Sequence, residues 1–116
     1  MSMNFLTETL KAIKDSQHSV DDIVFIGSEL SGHQCTWSEF EKLANREYTL
    51  EVGAKRVAQD LIIVFSDDLK MWRAEYDGSE WWEYSAPFVL PKNRRPITEL
   101  FSNYAGLEDL RDINEK

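Results

Sequence analysis

The chain has 116 residues, 42% of them hydrophobic and 12% aromatic, with 13 Lys and Arg against 21 Asp and Glu, a net charge of −8. The acidic balance argues against a general surface for the nucleic-acid backbone, which needs excess cations, and the aromatic content excludes a disordered chain. No apolar run approaches the roughly 18 residues of a membrane span, and no charged leader runs into an apolar stretch as a secretory signal would. The single cysteine, Cys35, can form no disulfide within the chain and fits a reducing compartment.

In residues 4–16, Leu6, Leu10 and Ile13 recur at helical spacing, with Asn4 as the predicted N-cap. Residues 17–21 are polar and read as a loop. The run Ile23, Val24, Phe25 and Ile26 predicts a strand covered on both faces, closed by Gly27 and the Ser31–Gly32 pair. Thr36 followed by Glu39 has capping-box spacing, and Trp37, Phe40, Leu43 and Ala44 then share one helix face over 36–47. Gly53 interrupts the mixed stretch that follows.

Residues 60–85 predict a β-meander. DLIIVF (60–65) is a buried strand, and Ser66–Asp67–Asp68 is a turn. In KMWRAEY (70–76), Trp72, Ala74 and Tyr76 share one face while Arg73 and Glu75 share the other. Asp77–Gly78 suits a tight hairpin, because glycine takes positive φ without steric cost. In EWWEYS (80–85), Trp82 and Tyr84 share one face and Trp81 and Glu83 the other. Pro87, Pro91 and Pro96 bracket an extended segment. Ile97 to Asn103 predicts a short helix with Pro96 near its start. Leu107, Leu110 and Ile113 predict a last amphipathic turn. The expected architecture is a single α+β domain over 1–116, a mostly antiparallel sheet packed with about three helices.

Two strings, CTWSEFEKLANREY (35–48) and EYDGSEWWEY (75–84), the second preceded by DLIIVF, carry a resemblance. They are similar to a group of small phage- and prophage-encoded proteins of unknown function. Those share a C-x-W-x-E-F-E helix and a hairpin ending in YDGSEWWE. The matched region is roughly 35–85. Where the group carries a Gly-rich loop, residues 48–58 hold only Gly53. The resemblance implies a phage or bacterial cytoplasmic setting and assigns no catalytic residue.

The chain's candidate chemistry is sparse. Cys35 precedes a helix N-terminus, where a thiolate is favoured, and His33 would lie on the same face of an extended segment. That pair would serve a thiol enzyme, yet a half-buried cysteine beside an exposed histidine is the commoner arrangement. His33, Cys35 and the distant His18 do not make a metal site, and neither CxxC nor HExxH occurs. No Gly-rich phosphate loop occurs, so no cofactor is expected. Lys92–Asn93–Arg94–Arg95 is the one concentrated basic run; it either meets an acidic partner or a phosphate, or simply solvates a loop.

The hairpin is the more informative region. Between Asp60 and Glu83 there are seven acids against Lys70 and Arg73, and Trp81 must find a surface away from Trp82. A tryptophan rimmed by carboxylates suits a binding anchor, although coverage of that face by the first helix or the C-terminal segment is the commoner arrangement. The sequence thus predicts a non-enzymatic acidic protein-binding module using Glu75, Asp77, Glu80, Trp81 and Glu83 against a basic protein partner. Its sharpest form is a phage-encoded inhibitor of a host nucleic-acid-handling or defence protein. The alternatives are a homo-oligomeric assembly component, a homodimer through a sheet edge or the Trp81 face, and a small thiol enzyme centred on Cys35.

Overall fold

The computed structural model describes residues 2–85, 90–103 and 105–115, the side chain of Ser85 excepted. Strand β1 (Met3–Asn4) runs directly into helix α1 (Phe5–Asp15). Asn4 caps that helix as its spacing predicts, its side-chain oxygen accepting the Thr7 N–H at 3.0 Å. The buried stripe of α1 is rotated from the predicted one: Phe5, Thr9 and Ile13 face the core, and Leu10 is exposed. Thr9 can occupy the stripe because its hydroxyl donates to the Phe5 carbonyl at 2.8 Å, so this buried hydroxyl is not left unmet.

A turn of 3-10 helix at Val20–Asp22 leads into β2 (Ile23–Gly27), followed by the two-residue β3 (His33–Gln34). Helix α2 (Trp37–Ala44) has the predicted capping box: Thr36 Oγ1 accepts from Glu39 N at 3.1 Å, and Glu39 Oε1 accepts from Thr36 N at 2.8 Å. Strand β4 (Glu47–Tyr48) pairs back onto β1. Then come β5 (Ile62–Phe65), β6 (Lys70–Tyr76), β7 (Ser79–Ser85), β8 (Arg95–Pro96) and α3 (Leu110–Asn114).

Six strands form one sheet in the order β7-β6-β5-β2-β3-β8, antiparallel except for the β3–β8 pair. The hairpin turn between β6 and β7 is the Asp77–Gly78 pair, at φ 51° and 85°. Two successive positive φ values match the right-handed twist of the flanking strands. The register Ile63↔Met71↔Tyr84 and Ile62↔Trp72↔Glu83 separates the two faces.

The main core lies between one face and the helices, built around Phe5, Phe40, Phe65, Phe101, Leu100 and Leu110, all buried. A smaller cluster of Phe25, Ile62 and Val64, with Trp72 against it, occupies the other face. The run at 23–26 is therefore covered on both sides, except that a register shift at Val24 leaves that side chain 58% exposed.

One predicted element is absent. Residues 97–103 are not helical; the segment is extended enough for Phe101 to bridge to Val57. Its amides are met by side chains instead. The Asn114 side-chain oxygen accepts from Thr98 N and Glu99 N, and the Glu99 carboxylate accepts from Leu100 N at 2.9 Å. Those bonds remove the incentive to close a helical turn. Pro96 is a strand residue, Pro91 is half-buried, and Pro87 lies outside the described residues. The radius of gyration, 13.2 Å, matches the roughly 13 Å of one domain of this length. The molecule is a single compact α+β domain.

Candidate functional site

The β6–β7 hairpin divides the predicted site residues between its two faces. Trp81 and Glu83 point to the face away from the helices, opposite Ala74 and Trp72 in the register. Trp81 is 38% exposed, and its indole N–H donates to Glu83 Oε2 at 3.1 Å, which orients the ring. Tyr76 stands on the same face and is 76% exposed. Asp77 sits in the turn, and Glu75, on the Arg73 face of β6 but exposed at its end near the tip, accepts the Gly78 N–H at 3.1 Å. The described residues offer no ion-pair partner to Glu75, Asp77 or Glu83. The two cations of the hairpin are committed elsewhere: Lys70 to Glu29 at 2.8 Å, and Arg73 to Glu8 at 2.8 Å.

Glu80 is not on this surface. It faces the core, its side chain only 3% exposed, and accepts from Arg56 Nη1 at 2.7 Å while lying 3.5 Å from Arg73. As the direct cross-strand neighbour of Glu75 it would repel a second surface carboxylate; the two arginines draw it inward instead. The alternation assigns Glu80 and Glu83 to opposite faces but does not say which face the helices cover.

Around Arg73 the inner face carries a buried polar network that the alternation of the strand does not reveal. The guanidinium, 2% exposed, donates to Glu8 on α1 and to the Tyr48 hydroxyl on β4, and lies 5.1 Å from the rings of both Phe5 and Trp82. Burial works against its charge, and the Glu8 carboxylate and then Tyr48 together more than offset this, holding its pKa above the usual arginine value. Burial, and then the hydrogen bond Tyr48 donates to Glu8, push the phenol well above its ordinary range. A lone arginine in an aromatic strand, with acids at distant positions, is the only sequence signal for such a network. Its partners are 65 and 25 residues away.

His33 and Cys35 do not form a thiolate pair. The His33 ring is buried, its Nδ1 2.8 Å from Ser31 Oγ and its Nε2 3.3 Å from Glu115. Burial, with a smaller contribution from Glu39, pushes the Cys35 thiol up to about 12. At neutral pH such a thiol stays protonated, the opposite of what a nucleophile needs. Among the described residues no group of three or more His, Cys, Asp and Glu is arranged to hold a metal ion, and no helix is long and apolar enough to cross a membrane.

Comparison with known proteins finds no matching family, no matching curated protein and no matching solved structure.

Proposed function

We propose that the protein is a non-enzymatic binding module that docks a basic protein through the outer face and tip of its β6–β7 hairpin. The observation that carries this reading is Trp81, partly exposed and held by Glu83 on a face that also presents Tyr76. The uncompensated carboxylates of Glu75, Asp77 and Glu83 supply the field that steers a cationic partner, and Trp81 supplies the desolvated anchor. Glu80 serves from inside, fixing the strand rather than touching the partner. The resemblance to phage-encoded proteins favours the sharper form, in which the carboxylates stand where a host nucleic-acid-handling or defence protein expects phosphates.

The test compares the immobilised protein with its Glu75→Lys/Asp77→Lys/Glu83→Lys variant and with Trp81→Ala in bacterial lysate at low and high salt. A basic protein retained by the native chain at low salt, and lost with either variant, is the expected result. Retention that is indifferent to these changes overturns the reading. Self-association through β7, an edge strand seven residues long, is the second reading. Antiparallel pairing of two such edges would bring like charges together, so light scattering should show dimer growing as salt rises if that reading holds.

A further inference from the structure

We propose that the cavity between β2, the β3–α2 junction and β8 binds a small amphipathic anion, a flat apolar body carrying one carboxylate, sulfonate or phosphate group. The cavity has a volume of about 540 Å³, inside the roughly 300–1,000 Å³ typical of small-molecule sites. It exists because β3 is short. It meets β2 only at Gly27↔Gln34, after which the chain turns through Thr36 into α2. The Ile23–Phe25 half of β2 therefore has β5 along one side and no described strand along the other.

The wall is apolar. Ile23, Trp37 and the largely exposed Val24 line it, and the neutral Cys35 thiol lies among them. Exposed valine beside a half-buried indole is surface that a flat apolar ligand would remove from water, at about 25 cal/mol per Å². The rim is cationic. Strand β8 brings Arg94 and Arg95 to it. Arg95 is already paired with Glu115, whereas Arg94 has no ion-pair partner among the described residues. Glu39, the carboxylate on the same rim, accepts the Thr36 amide through Oε1 and sits in the first turn of α2, whose N-terminal dipole offsets part of its charge. One unpaired guanidinium at the mouth of an apolar cavity selects an apolar ligand with a single anionic head. This site is on the half of the sheet opposite the hairpin, so its test is independent of the protein-binding reading.

Two fluorescent probes separate the contributions: 8-anilinonaphthalene-1-sulfonate, and N-phenyl-1-naphthylamine, which has the same aromatic frame without the anion. The native protein should bind both saturably. Arg94→Glu should weaken the sulfonate by at least about tenfold, the loss of one charge-assisted hydrogen bond with like-charge repulsion added, and leave the neutral probe unchanged. Val24→Trp should abolish binding of both by filling the cavity, with circular dichroism verifying that each variant is folded. Sulfonate binding that does not saturate, that is unchanged by either substitution, or that falls no more than the neutral probe's with Arg94→Glu overturns the proposal.

Discussion

Arg73 holds Glu8, which has no other ion-pair partner among the described residues, and shares Glu80 with Arg56. Replacing it by alanine leaves the Glu8 carboxylate without its cation, and breaking a buried pair in this way costs about 3–5 kcal/mol. Urea unfolding should show that loss for Arg73→Ala, while Glu75→Gln and Glu83→Gln stay within about 0.5 kcal/mol of the native protein, as exposed acids do. Cys35 gives a chemical test of the same kind. With its thiol pushed up to about 12 by burial, alkylation at neutral pH should run well below the rate of a free thiol. His18 and Asp67 supply the pH-dependence. The His18 ring stacks on Phe65 at 4.3 Å, with Nε2 2.8 Å from Asp67 and Nδ1 2.8 Å from the Ser16 carbonyl. Both nitrogens thus face acceptors, and the hydrogen bond to Asp67 raises the histidine pKa above 6.5 while lowering that of Asp67 below 3.8. A raised folded-state pKa stabilises fully below the unfolded value and loses its effect as pH rises through the folded one; the depressed aspartate behaves in the opposite sense. The pair therefore contributes most between pH 3.8 and 6.5. Thermal melts should show Asp67→Asn less stable than native at pH 5.5, with the gap narrowing by pH 9.

At the scale of elements, the signals that proved legible are local and stereochemical. The Asn4 cap, the Thr36–Glu39 box and the Asp77–Gly78 turn each need only neighbours within three residues, and each forms as its spacing predicts. The helix expected at 97–103 failed for the complementary reason. Its amides are taken by Asn114, some 15 residues away, and by Glu99, and no window on the segment itself contains that information. Gly32 belongs to the same category. Its φ of 79° is a local demand, but a Cβ there would also lie 1.4 Å from the Asn93 carbonyl oxygen, a contact created by the arrival of the chain before β8. Gly32→Ala should consequently destabilise by more than the roughly 1–2 kcal/mol of a left-handed alanine. Gly78→Ala, where a Cβ meets nothing within 4 Å, should cost only about that amount. Denaturant midpoints of the two variants make the comparison directly.

Across the whole molecule, the net charge of −8 is not spread evenly in its consequences. Glu8, Glu29, Glu80 and Glu115 are each bound to a basic side chain, whereas the acids at the hairpin tip and outer face are bound to none among the described residues. Composition reports the sum; pairing decides which carboxylates project a field. The same pairing explains why Glu75, Asp77, Trp81 and Glu83 remain together as a surface candidate while Glu80 leaves it. If those four residues act together, affinity for a cationic partner should fall steeply between 50 and 500 mM salt in titration calorimetry, at roughly the rate expected for screened surface charges, and the Glu75→Lys/Asp77→Lys/Glu83→Lys variant should show no such dependence.

The sequence by itself determined the α+β class, the two long-helix starts, the order of the meander and the separation of Trp81 from Trp82, because these follow from period, capping and turn chemistry over a few residues. Only the tertiary structure decided which face of the hairpin meets the helices. A strand's alternation is symmetric between its faces, and the face chosen here is the one bearing Arg73, an assignment that becomes favourable only once Glu8, Tyr48 and Glu80 arrive from three other elements to meet the charge. Tertiary structure likewise closed the cavity beside β2, since its mouth is made by β8 from the far end of the chain.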